Sequence, residues 1–393
     1  MNSITKSLIV FYYLTLGMNS LTLSNSRSVS FILSIAIILA AFFNLLNSKT
    51  LVNHDKTQRR GKENYEFYLK MFIFLLVLWN LLSVFWSNNT NATVQGIFKI
   101  VILASVTYSV IHFCGNNGFD ISPYFVSGAV LTSGITIVAA VQNKVVFYQS
   151  KTRMYGRWNS FGLDFNDMAV YLGIAFTLAL IMIINGKRSQ YRLLLIASLP
   201  ILVLGVIASG SRTGLVGLLI SPIVVVYFSK GKQRLMRIIP IVLIFIALII
   251  FLKFSADSLS YSNRALTLFK SDQVSLTGRD TIWRMVISSW SSWIVLGVGQ
   301  GNELGVLYQY FGVDKAVHNL FLSISYRSGL IGLLLYIFLL LNLYKSAKYS
   351  ITRLEFLGSF TIALFLCQTL SWEYNRVLWA LFPLAISHKI AKY

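Results

Sequence analysis

His318 is the residue of this chain best placed to act in proton transfer. It opens the stretch HNLFLSISYRSGLIGLL, where a long loop meets an apolar run. An imidazole changes charge near neutral pH and can take a proton from a hydroxyl group. A lone histidine is more often structural, but a helix start beside membrane-level apolar surface favours a general base.

Arg212 is the strongest single candidate for binding an anion. It lies in the segment SGSRTG, between Gly210 and Gly214, at a predicted turn between two apolar runs. A guanidinium grips phosphate through two parallel hydrogen bonds. Glycines let a chain approach a ligand closely, and the start of the following helix offers N–H groups to an anion.

Further basic residues lie on the same predicted side of the molecule as His318. They are Lys144, Lys151, Arg153, Arg157, Arg279, Arg284 and Arg376. Asp164 is the one acidic residue in the loop that contains the first four. Phospholipid head groups and an anionic ligand are two explanations that the sequence leaves open. Arg327, about two turns into the helix that His318 begins, could contact the same anion or pair structurally.

The composition predicts a membrane protein rather than a soluble one. Of 393 residues, 56% are apolar and 12% charged, and the mean hydropathy is +0.68. Soluble domains run at about 45–50% apolar and about 25% charged. A soluble enzyme, a disordered chain and a nucleic-acid-binding domain are therefore disfavoured. The simplest explanation of the net charge of +21 is that Lys and Arg accumulate in cytoplasmic loops of membrane proteins.

The apolar runs predict an all-α polytopic integral membrane protein with about 12 transmembrane helices. The spans are placed at 7–24, 28–46, 67–87, 97–114, 122–141, 167–185, 192–209, 213–229, 237–254, 319–344, 354–372 and 376–390. The tenth span is expected to be tilted or broken near Gly329 and Gly332. Because the basic loops all fall on the side of both termini, that side is assigned to the cytoplasm.

The opposite side carries two long segments of a single membrane domain, 1–393. One is the basic loop 142–166, and the other is the large loop 255–318, which alone is long enough to form a small subdomain. Within the second, RDTIWRMVISSWSSW over 279–293 predicts an amphipathic helix at the membrane surface. Its apolar positions are Ile282, Met285, Val286, Trp290 and Trp293.

The residues needed for metal binding, nucleotide binding or ion-coupled transport are absent or sparse in the sequence. The sequence has no Cys/His cluster with metal spacing and no phosphate-binding loop of the type GxxxxGK[ST], so no cofactor is expected. Cys114 and Cys367 are predicted as core residues. Ionisable residues are sparse within the spans, which argues mildly against an ion-coupled transporter. Glu303, after GVGQGN, is predicted to be structural or a loop cap.

Three motifs in order resemble the O-antigen ligase and polymerase superfamily of bacterial envelope glycosyltransferases. They are SGSRTGLVGLL, then GRDTIWRMVISSW with LGVGQGN, then HNLFLSISYRSGLIGLL, within about 155–345. The resemblance implies that a glycan on undecaprenyl diphosphate is transferred to an acceptor sugar at the periplasmic face of the inner membrane. By motif, Arg212 and Arg279 would hold the diphosphate, and His318 would be the base.

The motifs are shared by ligases and polymerases of this superfamily, and the preferred interpretation is an O-antigen ligase acting on the lipid A–core of lipopolysaccharide. The alternative is a polymerase that joins repeat units on undecaprenyl diphosphate, and a transporter of lipid-linked glycans is a third interpretation. Arg153, Arg157, Arg284, Arg327 and Asn319 are expected to bind substrate. The expected partners are the donor glycolipid, the acceptor and membrane lipids, with no nucleic acid and no metal. Asp280 and Asp314 are near His318 in sequence, but neither can be assigned to orient it.

Overall fold

The structure is a computed structural model of the chain. It describes residues 3–18, 22–23, 27–47, 60–148, 153–156, 164–185, 191–229, 239, 246 and 278–387. Nearly all of the predicted ninth span 237–254, the loop segment 255–277 and the candidate ligand Arg157 lie outside the described residues.

The described residues are predominantly helical. The α-helices are α1 (Ser3–Leu14), α2 (Val29–Asn47), α3 (Arg60–Leu82), α4 (Thr90–Asn117), α5 (Ser122–Val141), α6 (Phe165–Asn185), α7 (Arg192–Ala208), α8 (Arg212–Phe228), α9 (Arg279–Ser288), α10 (Glu303–Phe311), α11 (Leu320–Ser346), α12 (Arg353–Leu366) and α13 (Arg376–Trp379). Short 3-10 turns lie at Ser83–Phe85, Trp290–Ser292, Ala347–Tyr349, Cys367–Thr369 and Phe382–Ala385.

Two short antiparallel hairpins interrupt this helical chain, although an all-α fold was expected. Strand β1 (Thr22–Leu23) pairs with β2 (Arg27–Ser28), and β3 (Val145–Tyr148) pairs with β4 (Arg153–Gly156). The second hairpin lies within the predicted basic loop 142–166. Its first strand, VVFY, consists of β-branched and aromatic residues, which favour extended backbone.

Five of the described helices, α3, α4, α5, α6 and α11, are long and apolar enough to cross a membrane. The chain is therefore an α-helical, multi-pass membrane protein. Most of the predicted spans overlap a helix, but the first one, 7–24, does not match, because α1 ends at Leu14 and β1 lies within the predicted range. The segment predicted as 376–390 is also not one continuous helix. It holds the four residues of α13 and a separate 3-10 turn, because Pro383 has no N–H to continue an α-helix.

Helix α6 is the centre of the bundle. Its side chains from Phe165 to Ile184 are all buried apart from Asp167, and it packs against α5, α7, α8 and α12. A helix that is apolar on every side is stable only when other helices surround it. Its amino-terminal turn is held by Asp164, whose Oδ1 accepts the N–H of Asn166 at 2.9 Å.

The two ends of α6 show how the bundle is oriented. At its start, Asp167 Oδ1 accepts the indole N–H of Trp372 at 2.7 Å, just after α12 ends. At its end, Asn185 Nδ2 donates to Glu355 Oε1 at 3.4 Å, in the first turn of α12. The two helices are therefore antiparallel. We call the end with the starts of α6, α8 and α11 the site end.

Helix α11 is broken at Gly329, as the sequence predicted, with φ 66° and ψ −171°. The break leaves carbonyl groups without helical partners, and other segments supply them. The N–H groups of Val298 and Gly299 donate to the carbonyls of Tyr326 and Arg327 at 2.9 and 3.0 Å. The indole of Trp79 donates to the carbonyl of Ser328 at 2.7 Å. The LGVGQGN motif thus binds the broken part of α11.

The amphipathic helix is shorter than predicted. Helix α9 ends at Ser288, and Trp290 is 57% exposed instead of continuing the apolar stripe. The hydroxyls of Ser288 and Ser289 both donate to the carbonyl of Met285, which competes with the helical bonds there. Ile282 and Val286 are buried, together with Trp293, in a second hydrophobic cluster that includes parts of α10 and α11.

The break in α11 leads to a prediction about stability. A Cβ atom at Gly329 would lie 2.0 Å from the carbonyl oxygen of Val295, whereas a Cβ at Gly312 (φ +66°) meets nothing within 4 Å. Gly312→Ala should therefore lower the free energy of unfolding by only roughly 1 kcal/mol, which is the cost of holding alanine in the left-handed conformation. Gly329→Ala should cost roughly 1–3 kcal/mol more, because φ 66° with ψ −171° is a conformation that essentially only glycine adopts, and the overlap adds to that cost.

The measurement is the apparent thermal midpoint in detergent, followed by maleimide labelling of Cys114 and Cys367, which are both buried in the folded chain. Equal midpoints for the two glycine variants would show that α11 does not depend on close contact at the break.

Candidate functional site

Four segments that are distant in sequence meet at the site end. Ser211, before α8, donates from its hydroxyl to Asn166 Oδ1 in α6 at 2.9 Å. The hydroxyls of Thr213 and Thr369 lie 3.3 Å apart, which connects α8 to the segment after α12. These contacts place the Arg212 turn beside the start of α6 and beside residues 367–371.

The same 367–371 segment also binds the start of α11. The backbone N–H of His318 donates to Ser371 Oγ at 2.9 Å, and Asn319 Nδ2 donates to the carbonyl of Gln368 at 3.2 Å. Asn319 Oδ1 accepts the N–H of Leu322 at 3.0 Å and so caps α11. Asn319, expected to bind substrate, therefore has both ends of its amide engaged in holding His318 in place.

His318 has an unusual backbone conformation. Its φ is +54°, and among the described non-glycine residues only Asn143 shares a positive φ. The left-handed region costs roughly 1–3 kcal/mol for such a residue and is maintained only where the surroundings require it. Neither α11 nor the hydrogen bond to Ser371 needs an imidazole side chain. The strained conformation therefore directs attention to the half-buried imidazole.

Three charged groups act on the His318 imidazole. Its pKa is lowered from the usual value by burial first, then by the Arg279 guanidinium and by Lys315, while Asp164 opposes them. The imidazole is therefore neutral at pH 7 and has a nitrogen available to accept a proton. Asp164 is the acidic neighbour that sequence reasoning did not connect to His318, because it lies more than 150 positions earlier in the chain.

Helix α9 brings Arg279 to this place. The indole of Trp283 donates to the carbonyl of Val317 at 2.8 Å, and Ile282 and Val286 are buried in the second cluster. Burial also lowers the pKa of Arg279 from its usual value, with Asp164 acting in the opposite direction. A guanidinium remains charged after such a shift. The structure thus brings together His318, Arg279 and Asp164.

Arg212 is the first residue of α8, and it is half-buried at the site end. The glycine after it has a different role from the one expected. A Cβ at Gly214 would lie 2.5 Å from the Cβ of Ala169, so Gly214 serves close packing of α8 against α6. Gly210 has φ +62° and forms the turn before α8. The positions of Arg212 and its helix start agree with an anion site.

Other predicted ligands are placed differently. Arg284 is 79% exposed and forms an ion pair with Asp280 at 2.8 Å, one turn earlier on α9. Asp280 is thereby engaged away from His318. Arg153 lies on β4, where its backbone pairs with Tyr148, and Arg157 is outside the described residues. Arg284 is therefore paired away from His318, whereas substrate binding by Arg153 and Arg157 stays a prediction.

Arg327 is held between two carboxylates. Its Nη1 lies 2.6 Å from Glu373 Oε1, its Nη2 pairs with Glu303 Oε1, and its side chain is 12% exposed. Ser323 also donates to Glu373 Oε1 at 2.7 Å. Arg327 was expected either to contact the anionic ligand or to form a structural ion pair, and the structure shows the ion pairs. Arg327 is therefore not part of the substrate site proposed below. Glu303 has the structural role that the sequence predicted.

Among the described residues, no group of three His, Cys, Asp or Glu side chains could hold a metal ion. Cys114 and Cys367 are both buried.

The buried ion pairs of Arg327 predict a specific loss of stability. Arg327→Met leaves two buried carboxylates facing each other without a cation, which should cost about 3–5 kcal/mol. The matched control is Arg284→Met, which removes an exposed pair and should cost less than about 1 kcal/mol. The apparent thermal midpoints of purified proteins compare the two. An Arg327→Met protein that melts like the wild type but binds substrate poorly would contradict the structural role.

The comparisons with known proteins agree with this geometry. A family model described as O-antigen ligase matches residues 197–337, a range that contains Arg212, Arg279 and His318. No curated protein matches the chain. The matched range also includes the break at Gly329 and the segment LGVGQGN that binds it. Residues 197–337 are thus similar to the O-antigen ligase family, in the part of the chain that carries the three motifs.

Proposed function

We propose that this protein is an O-antigen ligase. It transfers an O-antigen glycan from undecaprenyl diphosphate to the lipid A–core of lipopolysaccharide, at the periplasmic face of the inner membrane. The observation that carries the proposal is the neutral, half-buried imidazole of His318 beside the half-buried guanidinium of Arg279. A base next to a fixed positive charge suits transfer of a sugar from a diphosphate leaving group.

The topology we propose has about 12 spans and both termini in the cytoplasm. Residues 142–166 and 255–318 are then periplasmic, and the larger segment forms the loop subdomain between spans 9 and 10. Support comes from the site end, which carries Arg212, Arg279 and His318, and from Lys345 and Arg353 at the opposite end. Basic residues are expected to accumulate on the cytoplasmic side.

In the proposed reaction, a hydroxyl of the acceptor sugar attacks the anomeric carbon of the donor glycan. The new C–O bond forms as the bond from that carbon to the diphosphate oxygen breaks. The bonding electrons leave with undecaprenyl diphosphate, whose added negative charge is stabilised by Arg212 and Arg279. The hydroxyl proton passes to the imidazole of His318. The balance requires no nucleotide, metal or redox partner.

Asp164 completes the proposed mechanism. Its negative charge favours the protonated imidazole and so stabilises the state that follows proton transfer. It also lies close enough to Arg279 to affect that guanidinium. We therefore propose Asp164 as a positioning residue that acts through its two neighbours, while His318, Arg212 and Arg279 are the catalytic residues.

Replacement of His318 tests the base directly. His318→Asn should lower glycan transfer about 10²–10⁴-fold, because the general base is lost. Its thermal midpoint should not fall, since asparagine adopts a positive φ more readily than histidine. Activity is measured with purified protein, lipid-linked O-antigen and lipid A–core, and binding of the donor is measured separately.

Asn143→Gly is the matched control, since it changes the other described non-glycine residue with a positive φ, 55°, which has no role in the proposed reaction. It should keep full activity. Wild-type transfer by His318→Asn would remove His318 from the reaction. Formation of longer glycan on undecaprenyl diphosphate, with no transfer to lipid A–core, would identify the polymerase instead.

The charges around His318 also predict how the rate depends on pH. If His318 is the base, activity is lost at low pH because the imidazole becomes protonated. The pH dependence of kcat/KM then reports the pKa of His318 in the free enzyme. Asp164→Asn removes the charge that raises the pKa of His318, so the acid limb should move to lower pH. Lys315→Gln removes a charge that lowers this pKa, and the limb should move to higher pH.

The two substitutions should therefore move the same limb in opposite directions. The amide introduced by Asp164→Asn keeps an oxygen for the hydrogen bond to Asn166, and Lys315 is exposed, so neither change should unfold the protein. Superimposed profiles for the wild type and both variants would show that a group other than His318 governs the rate.

A further inference from the structure

A cavity outside the proposed catalytic centre holds two cations. It has a volume of about 450 Å³ and lies between α1, α2, α4 and the segment 374–376. Its polar lining consists of Tyr12, Ser30, Ser34, Lys99, Asn375 and Arg376. Among the described residues that line it, none carries a carboxylate. The cavity is therefore positively charged.

Arg376 is a half-buried cation, and two of its guanidinium nitrogens are fully buried. Its Nη1 donates to Ser30 Oγ, but the buried Nε and Nη2 have no hydrogen-bond partner among the described residues. The groups that interact electrostatically with it are the neutral phenols of Tyr12 and Tyr171. Leaving a buried charge unpaired is costly, so native proteins supply an opposite charge. Since none of the described residues that line the cavity is acidic, a bound anion would supply that charge.

Lys99 adds a second cation at membrane depth. It lies nine residues into α4, about 14 Å along the helix axis. It is exposed on a helix that is apolar enough to cross a membrane. A lysine at this depth in hydrocarbon is unfavourable, and such residues mark binding sites or pair with an opposite charge. Its four-carbon stem allows the ammonium to reach an anion in the cavity.

The rest of the lining is apolar. Phe31, Phe98, Ile102, Leu103 and Val106 face the same cavity, and Phe98 is 58% exposed. A ligand with an anionic head and a hydrocarbon chain matches both parts of the lining. A phosphate ester is the anion that guanidinium and ammonium groups bind best in combination.

We propose that this cavity binds the phosphate group of a membrane lipid, held by Arg376 and Lys99, with the lipid chain along the apolar lining. The ligand class is a phosphate ester on an acyl or isoprenoid chain. The cavity is connected to the candidate site through residues 371–376, since Ser371 binds the backbone of His318. Lipid binding here does not depend on the proposed transferase activity.

The test uses the full chain, delipidated in detergent, and native mass spectrometry with three probes. Phosphatidylglycerol represents the bilayer, undecaprenyl phosphate represents an isoprenoid carrier, and diacylglycerol provides chains without phosphate. Lys99→Gln and Arg376→Gln should each weaken binding of a phosphate-bearing probe about tenfold, the effect of one charge-assisted contact. Diacylglycerol binding should not change.

The control variant is Lys345→Gln, in the last turn of α11 at the opposite end of the bundle. It should bind all three probes like the wild type. Weaker binding of phosphatidylglycerol alone, of undecaprenyl phosphate alone or of both supports the proposal and identifies the source. Because Lys99 is exposed, its substitution should leave folding intact even where Arg376→Gln does not. Wild-type binding of both phosphate-bearing probes by Lys99→Gln would overturn the proposal.

Discussion

The buried contact of Arg327 with Glu303 and Glu373 is the interaction on which the site end depends. It joins the first residue of α10, the middle of α11 and the segment after α12. Buried charges are tolerated only when they are paired and hydrogen-bonded, so these three segments cannot separate without leaving a charge exposed to an apolar interior. The segment after α12 then carries Ser371, which binds His318, and Arg376, which lines the cationic cavity.

The break at Gly329 serves the same purpose through the backbone. A continuous helix would bond the carbonyls of Tyr326, Arg327 and Ser328 internally, and the loop 293–302 would keep only side-chain contacts with α11, such as that of Trp293 with Tyr326. With the break, those carbonyls accept hydrogen bonds from that loop and from Trp79. Since unpaired backbone groups are costly away from water, the loop is held firmly. Helix α9 precedes this loop, so the position of Arg279 depends on it.

The site brings together charged groups whose mutual interactions would be weak in water. Burial keeps the His318 imidazole neutral, and Arg279 beside it reinforces this effect. In the proposed mechanism, the same burial strengthens the attraction of the Arg212 and Arg279 guanidinium groups for the diphosphate of the donor, because the local dielectric is low. A second pair of cations, Lys99 and Arg376, lies on the α2 and α4 side of the same segment 371–376. The proposed site end therefore has separate places for a reacting diphosphate and for another lipid phosphate.

The sequence alone determined the membrane-protein class, the positions of most long helices and the motifs from which the proposed chemistry is drawn. Hydropathy averages over about 20 residues, and short motifs are local, so both can be read without a fold. The break near Gly329 was also predicted, because glycine is the residue that allows it.

Only the tertiary structure decided which charges pair with each other. Asp164 interacts electrostatically with His318, 154 positions later in the sequence. Arg327 forms ion pairs with two carboxylates, and Gly214 allows two helices to pack closely. The tertiary structure also revealed the cavity of Lys99 and Arg376, which lie on different helices. Burial and charge pairing depend on distances between segments far apart in the chain, and residue types and spacing do not contain those distances.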